Sequence, residues 1–192
     1  MGKSDPHIDA TMRAWLARQR MFFVSTAPLS GEGMVNCSPK GSDYLRVVDD
    51  HTLAYLEFAG SGIETIAHLR ENGRIVIMLC AFEGPPKIAR FHGRGDVVLP
   101  NDADFAKLAG LYDGDLLGVR SIIRINVERV SDSCGFGVPV YDFVKDRDAL
   151  RKWTEKKGAE GIRAYVAENN AASVDGIPGL SAEEAKSASP ER

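Results

Sequence analysis

The sequence predicts a mainly β protein with helices: a small antiparallel β-barrel, one helix inserted between two strands, and helices after the last strand. Three observations predict this fold class. Six or seven short segments rich in β-branched and aromatic residues are separated by Gly, Pro, Asp and Ser, as strands of antiparallel sheets are. One helix-like stretch stands between two of these segments, whereas a parallel βαβ sheet needs a helix after almost every strand. From about residue 146 the pattern is helical.

The strand segments can be placed in order along the chain. They read MFFVSTAPL, GMVNCSP, YLRVV, TLAYLEF, RIVIMLCAF, KIARFHGRGDVVL and RSIIRINVERVS. In the last segment Ile123, Ile125 and Val127 alternate with polar residues, which is the period of a half-buried strand. The turn sequence EGPP joins RIVIMLCAF to KIARFHGRGDVVL, so these two segments are predicted to be consecutive strands.

Helical spacing of apolar residues predicts a first helix over 8–19, and a short helix is predicted near 102–112. Between the strands, Ser61 and Glu64 form an S-x-x-E capping box, which predicts that a helix starts at Ser61. Gly73 is a suitable end for that helix. Two further helices are predicted in DRDALRKWTEKKG and AEGIRAYVAENN.

Length and composition predict one soluble domain. A chain of 192 residues can bury a sizeable core, and we expect a single domain over residues 1–180. The polar stretch at residues 181–192 is expected to be a flexible tail. A net charge of −3 disfavours a nucleic-acid binder, which needs a basic surface to displace counterions. No apolar run approaches the roughly 18 residues of a membrane span, so no membrane partner is expected.

The cysteines predict a reducing compartment. Cys37, Cys80 and Cys134 are odd in number and widely spaced, and they form no C-x-x-C pair. Cys37 and Cys80 lie in strand-like segments and are expected in the core. The first residues lack the apolar stretch of a signal peptide, so we expect a cytoplasmic protein. Glu64 and His68 lie four apart on one helix face and could form a metal pair, but no third ligand has a useful spacing, so no metal site is expected.

Glycines surround the start of the inserted helix. Gly60 and Gly62 flank Ser61, although glycine in a first turn costs roughly 0.5–1 kcal/mol relative to alanine. A helix N-terminus attracts anions, and glycines let a phosphate approach the backbone, so one interpretation is a phosphate site with Thr65 as a further donor. The alternative is that Ser61 only caps the helix and the glycines permit a tight turn, and the local sequence slightly favours this alternative.

A second segment favours the phosphate interpretation. In VNCSPKG, Ser38 and Lys40 point to the same side of a strand, because strand side chains alternate, and Pro39 fixes the backbone between them. A hydroxyl donor and an ammonium on one face suit a phosphate. The two elements together favour a nucleotide-like ligand.

The segments FFVSTA, VNCSPKG, GSGIETIAHLRENGRIVIML, RFHGRG and SCGFGVP, in this order, resemble the FMN-binding split β-barrels related to pyridoxamine 5′-phosphate oxidase. The resemblance covers about residues 10–180 and is strongest to an uncharacterised branch of that family. It implies a split barrel that forms a homodimer, with FMN held between the subunits. The residues that it implies in cofactor binding are Asn36, Ser38, Pro39, Lys40, Gly60, Ser61, Gly62, Thr65, Cys134 and Gly135, the last two approaching the flavin of the neighbouring subunit.

The sequence departs from the true oxidases at two places. Their helix start carries Ser-Arg-Lys, whereas this chain has Ser61, Gly62 and Ile63 without a cation. The C-terminal arginines that hold pyridoxal phosphate have no match, so vitamin B6 oxidation is not expected. Among the arginines Arg120, which opens the last long strand beside Ser121, is the strongest candidate to meet a phosphate or a carboxylate.

These observations predict an FMN-dependent oxidoreductase that acts on a small-molecule substrate. No catalytic acid or base is nominated, because hydride transfer to a flavin need not use one and the sequence offers no clear candidate. Two alternatives stay open: a split barrel that binds the deazaflavin F420 or haem instead, and a flavin-binding module without turnover.

Overall fold

The structure, a computed structural model, describes residues 4–5 and 7–190. The strands are β1 (Ser4–Asp5), β2 (Met21–Thr26), β3 (Asn36–Gly41), β4 (Leu45–Val47), β5 (Thr52–Phe58), β6 (Arg74–Cys80), β7 (Ile88–Val98) and β8 (Val119–Ser133). The helices are α1 (Ala10–Leu16), α2 (Glu64–Asn72), α3 (Phe105–Ala109), α4 (Ala149–Asn169) and α5 (Ala182–Ala185).

One curled antiparallel sheet forms the body of the molecule. Seven strands follow one another in the order β3-β2-β6-β7-β8-β5-β4, and β1 pairs with β8 outside this path. The long strands β7 and β8 pair along most of their length, with an irregularity between His92 and Gly93. The sheet curls into a half-barrel, and α2 connects β5 to β6. The predicted fold class, an antiparallel barrel with an inserted helix, is confirmed.

The core fills the inside of this curl. Ile123, Ile125 and Val127, whose alternation predicted the last strand, are all buried. They join the buried faces of β2, β5, β6 and β7, and α1 and α2 cover the ends of the same cluster. At the irregularity in β7, a Cβ on Gly93 would lie 2.0 Å from the Asn126 carbonyl oxygen. Only glycine allows the two strands to approach so closely there.

The long C-terminal helix is two helices joined at a glycine. Within α4, Gly158 has a φ of 64°, in the left-handed region, and interrupts the helical backbone. This confirms the prediction of two helical segments. The second one ends at Asn169, and the C-cap residue that follows, Asn170, is fully buried.

The predicted start of α2 is wrong. The helix begins at Glu64 with Ile63 as N-cap, and no side chain caps it. Ser61 is exposed, and the Glu64 carboxylate instead accepts a hydrogen bond from the Val174 backbone. The predicted end is confirmed, because Gly73 has a φ of 70° and its N–H donates to the Leu69 carbonyl.

One of the two expected core cysteines lies on the surface. Cys80 is buried, as predicted, but Cys37 is exposed. The reason is the position of β3 at the edge of the sheet, where the face that carries Cys37 has no covering element among the described residues.

Residues 181–190, part of the predicted flexible tail, contain the short helix α5 and pack against the barrel. Ser181 and Glu184 form a capping box at the start of α5. Ala185 and Ala188 are each 1% exposed, because small apolar side chains fit the surface of the domain closely. Ser189 accepts a hydrogen bond from the Gly118 N–H and donates its own N–H to Val119. Residues 191–192 of the predicted tail lie outside the described residues.

Within the described part of the chain, no helix has both the length and the apolar character needed to cross a membrane.

We expect truncation after Leu180 to lower the free energy of unfolding by about 3–4 kcal/mol. It removes two buried alanine methyl groups, at about 0.8 kcal/mol each, and hydrogen bonds to the barrel worth about 1 kcal/mol each. Urea denaturation measures the loss, and a chain ending at Pro190 is the matched control. Equal denaturation midpoints for the two chains would show that the segment adds no stability.

Candidate functional site

A buried carboxylate lies between two cations at the opening of the half-barrel. Glu57, in β5, is 3% exposed. Its Oε2 lies 3.0 Å from the ammonium nitrogen of Lys40, in β3. Its Oε1 lies 2.8 Å from a terminal nitrogen of Arg120, in β8. Burial of a charge is costly unless the charge is paired, and here one carboxylate is paired twice. We call Lys40, Glu57 and Arg120 the ion cluster.

The curl of the sheet brings these three residues together. β3 is one edge of the strand order, whereas β5 is next to the opposite edge, so the two strands share no backbone ladder. The contact between Lys40 and Glu57 therefore crosses the gap of the half-barrel. Arg120 is at the start of β8, beside β5, where Ser121 pairs with Glu57.

Arg120 has further partners in the turn before α2 and at the end of α4. One terminal nitrogen donates to Asn170 Oδ1 at 2.7 Å and approaches the Gly60 carbonyl at 3.4 Å. The Asn170 amide in turn donates to the same Gly60 carbonyl at 2.8 Å. The Nε of Arg120 is buried and has no hydrogen-bond partner among the described residues.

The ion cluster keeps its carboxylate ionised. Burial raises the pKa of Glu57, but the charges and hydrogen bonds of Lys40 and Arg120 outweigh burial, so the pKa lies below its usual range. Tyr55, two residues earlier on the same face of β5, has a pKa well above its usual value because of burial and the nearby Glu57 charge. Its phenol therefore stays neutral.

A second set of polar side chains lies at the other end of β3, on the face that carries Lys40. The Asn36 amide donates to the hydroxyls of Thr26, at 3.1 Å, and of Thr65, at 3.0 Å. Thr26 Oγ1 is also 2.9 Å from Nδ1 of the fully buried His68. We call Thr26, Asn36, Thr65 and His68 the hydroxyl cluster. Burial lowers the pKa of His68, and the nearby carboxylates offset this only in part, so its imidazole is neutral.

Ser38 lies between the two clusters. Asn36, Ser38 and Lys40 are half-buried, whereas the residues between them, Cys37 and Pro39, are exposed. This alternation places the three half-buried side chains on one face of β3, as the sequence predicts. One strand thus carries an amide, a hydroxyl and an ammonium in a row.

The residues from Gly60 to Ile63, which we call the glycine turn, connect this row to α2. Neither Gly60 nor Gly62 has a positive φ. Among the described residues, a Cβ on Gly60 would meet nothing within 4 Å, and one on Gly62 would meet only the Glu64 side chain, 2.7 Å from its Oε2. The fold of this chain therefore does not require glycine at either position.

The start of α2 presents free donors beside the glycine turn. The first helical hydrogen bond runs from the Ala67 N–H to the Ile63 carbonyl, so the amides before Ala67 have no acceptor inside the helix. Thr65 is in this first turn and is 5% exposed, whereas Ser61 is exposed.

A large cavity adjoins the ion cluster. Its volume is about 1190 Å³, and it lies between the barrel and an extended segment, residues 134–148, which we call the strap. Lys40 and Pro39 line it on the barrel side, together with Phe58 and Ala59. Six aromatic side chains line the whole cavity: Trp15, Tyr44, Phe58, Phe82, Tyr141 and Phe143.

The strap is attached to the barrel by aromatic and backbone contacts. Tyr141 stacks on Phe82 with ring centroids 5.5 Å apart, and its N–H donates to the Phe82 carbonyl. The Arg20 guanidinium lies over the Phe143 ring, with its central carbon 4.8 Å from the ring centroid. The charged residues that line the cavity are the cations Arg18, Arg20, Lys40, Lys87, Lys145 and Arg147 and the acids Asp43, Glu83, Asp142 and Asp146. The cavity thus combines flat apolar walls with an excess of positive charge.

Cys134 and Gly135 are not part of either cluster within this chain. They follow the end of β8, and Cys134 is exposed. Gly135 has a φ of 65°, and a Cβ on it would lie 2.8 Å from the Lys87 backbone nitrogen, so glycine is required there. Lys87 lines the cavity, which puts this pair near the cavity wall.

Among residues 4–5 and 7–190, no three His, Cys, Asp or Glu side chains are grouped as metal ligands.

Sequence reasoning missed three residues of this arrangement. Glu57 had a detectable signal, since it is the one charged residue in the apolar segment TLAYLEF. The sequence places His68 on the same helix face as Glu64 and gives no sign that it is buried, which it is. Asn170 had no local signal, because its partners Arg120 and Gly60 are 50 and 110 residues away.

The low pKa of Glu57 predicts a pH-dependent contribution to stability. Because the folded-state pKa is depressed, the stabilisation is complete above the unfolded value, about 4.3, and is lost as the pH falls through the folded value. We expect Glu57→Gln to lower the free energy of unfolding at pH 7 by about 3–5 kcal/mol, because it leaves two cations unpaired. The difference from wild type should shrink below about pH 4.

Denaturation of the wild type and of Glu57→Gln at pH 7 and at pH 3 tests this prediction. Glu128→Gln is the matched control, since Glu128 is exposed and its nearest ion pair, with Arg94, has a separation of 3.7 Å. It should change stability by less than about 1 kcal/mol. A loss for Glu57→Gln that is the same at pH 7 and at pH 3 would contradict an ionised buried carboxylate.

Comparison with known proteins identifies the family of this chain. The profile of the pyridoxamine 5′-phosphate oxidase family matches residues 8–134. The pyridoxamine 5′-phosphate oxidase family protein ustO of Aspergillus flavus is 38% identical over 187 residues, which cover 88% of this chain and 74% of that protein.

Two solved structures share the fold. HupZ of Group A Streptococcus has a TM-score of 0.52 at 25% identity, over 66% of this chain and 94% of HupZ. A structure from Lactobacillus delbrueckii has a TM-score of 0.51 at 16% identity, over 66% of this chain and 94% of that one, and supports the fold alone. The family profile and the Aspergillus relative carry the assignment: this chain belongs to the pyridoxamine 5′-phosphate oxidase family.

Proposed function

We propose that this protein binds FMN, with the phosphate at the ion cluster and the glycine turn, and is an oxidoreductase for a small-molecule substrate. One observation carries the proposal. Two cations share one buried carboxylate, which leaves a positive charge in excess beside a turn whose glycines the chain itself does not need. Membership of the family adds to it.

The charges of the ion cluster suit a phosphate. Lys40 and Arg120 carry two positive charges against the single charge of Glu57, so the cluster is positive overall. The unpartnered Nε of Arg120 is a further buried donor. The Lys40 side chain is 19% exposed, so its ammonium can be reached from outside the core. A dianion beside the cluster would form charge-assisted hydrogen bonds.

The glycine turn provides space and backbone donors for the same anion. The space that a Cβ on Gly60 would occupy is open. The amides at the start of α2 have no acceptor within the helix. The positive end of the helix dipole lies there as well. Ser61, exposed in this turn, and Thr65, in the first turn of α2, would supply hydroxyl donors.

The aromatic cavity suits a planar ring system next to the phosphate. Its volume exceeds the few hundred Å³ that a ligand-sized pocket needs, so it has room for a substrate beside the ring. A bound flavin would supply the redox chemistry. The chain would supply the anion site, the flat walls and the exclusion of water, and no side chain is assigned as a catalytic acid or base.

A homodimer with the flavin at the subunit interface is part of this proposal. On the strap, Phe136, Val140 and Val144 are 82%, 77% and 86% exposed in the single chain. Apolar surface of this kind indicates a protein partner. Contact with a second copy would bury it and would bring Cys134 and Gly135 towards the flavin of that copy.

The three cysteines are unpaired, and two of them are exposed. We therefore propose a reducing, cytoplasmic location.

Purification with the native cofactor tests the proposal. Mass spectrometry of the released ligand should give FMN, and the protein should show the two visible bands of an oxidised flavin. The single band of a deazaflavin would indicate F420, and a sharp Soret band would indicate haem. Turnover assays with nicotinamide donors then separate an enzyme from a flavin-binding module.

Lys40→Ala should weaken FMN binding by about ten- to a hundredfold, because it removes a charge-assisted contact with the phosphate. Riboflavin, which has the ring but lacks the phosphate, should bind the variant and the wild type equally. Isothermal titration with both ligands gives the comparison. The control is Lys87→Ala, since Lys87 also lines the cavity but is paired with Asp132 at 3.3 Å. Equal losses for FMN and riboflavin would place the phosphate elsewhere.

Gly60→Val separates the two interpretations of the glycine turn. Its Cβ would lie more than 4 Å from every described residue other than its two chain neighbours, so we expect the free energy of unfolding to change by less than about 1 kcal/mol. FMN affinity should fall at least tenfold, because the added side chain would occupy the space of the phosphate. FMN titration and urea denaturation are measured on the same preparation. Unchanged FMN affinity would mean that the glycines do not serve the ligand.

A further inference from the structure

The part of the chain beyond residues 8–134, which the family profile does not include, touches the candidate anion site at one buried side chain. Asn170, at the end of α4, is 0% exposed. Its Oδ1 accepts a hydrogen bond from Arg120 at 2.7 Å, and its Nδ2 donates to the Gly60 carbonyl at 2.8 Å. One amide thus joins the ion cluster to the glycine turn.

The same C-terminal segment holds the glycine turn and the start of α2 at two more places. The Val174 N–H donates to the Glu64 carboxylate. A Cβ on Gly179 would lie 2.6 Å from Ile63 Cγ1, so the backbone of Gly179 lies directly against Ile63. Gly60, Ile63 and Glu64 are therefore each in contact with residues 170–179. The conformation of the turn depends on this segment.

The chemistry of an amide at position 170 matters for an anion site. A neutral amide can accept from Arg120 and donate to Gly60 at the same time without changing the net charge of the ion cluster. A carboxylate there would accept from Arg120 but could not donate to Gly60, and it would cancel the excess positive charge. The amide therefore orients the guanidinium while it leaves the charge available to a ligand.

We propose that Asn170 is a positioning residue for the anion site: it fixes the Arg120 guanidinium and the Gly60 carbonyl so that the ion cluster and the glycine turn hold one phosphate group together. The C-terminal segment is then part of the ligand site and not only a cover for the barrel. This inference rests on the proposed function, since it assigns a further residue to the same phosphate site.

Two substitutions test the role of the amide. Asn170→Asp keeps the size of the side chain and its bond from Arg120, so the protein should fold, but the ion cluster loses its net charge. Asn170→Ala removes both hydrogen bonds. The matched control is Asn169→Ala, because Asn169 is exposed and its side chain donates to the Tyr165 carbonyl of its own helix.

Two probes are titrated into each flavin-free protein. Inorganic phosphate, compared with chloride at equal ionic strength, reports the anion site alone. FMN compared with riboflavin reports the phosphate contribution to flavin binding. Both Asn170 variants should lose about ten- to a hundredfold in affinity for phosphate and for FMN, with riboflavin unchanged, and Asn169→Ala should match the wild type.

The outcomes are distinguishable. Phosphate binding without FMN binding in the wild type would overturn the proposed function but keep the anion site. Wild-type affinities in Asn170→Asp would overturn the role of Asn170 and leave flavin binding intact. Equal losses for FMN and riboflavin would mean that Asn170 supports only the fold. No phosphate binding by the wild type would overturn the anion site itself.

Discussion

The ionised carboxylate of Glu57 is the constraint on which the geometry of this molecule depends. Glu57 is almost completely buried. Its two cations come from β3 and β8, which are separated by three strands in the sheet order. Lys40 can reach it only if the sheet curls, and Arg120 only if β8 starts beside it. An unpaired charge at this buried position would be costly. The curl of the sheet and the pairing of the three charges therefore stabilise each other.

Much of the fold follows from short-range patterns, whereas the site does not. The alternation in RSIIRINVERVS specifies which side of β8 faces the core, and Gly158 separates two helices that the sequence shows as two. Lys40 and Arg120 could be selected from their places at strand ends. Their shared partner Glu57 required knowledge of the curl, and Asn170 required a contact across more than a hundred residues.

The S-x-x-E pattern occurs twice with opposite outcomes, which shows the limit of local rules. At Ser181 the backbone is extended and both capping hydrogen bonds form with Glu184. At Ser61 the turn runs on to Ile63 before the helix begins, and Glu64 binds the backbone of a distant loop instead. At Ser61 the start of the helix is determined by tertiary contacts of the glycine turn. These contacts involve residues far away in the sequence, so a local sequence pattern cannot show them.

Pro39 has a consequence for the behaviour of this protein at high concentration. It lies in β3, at the edge of the described sheet, where a free row of backbone groups could recruit a strand from another molecule. Proline lacks an N–H group, so it breaks that row in the middle of the strand. The edge that presents the amide, hydroxyl and ammonium groups inward is thereby a poorer template for intermolecular β-sheet growth than an edge with an N–H group at every residue.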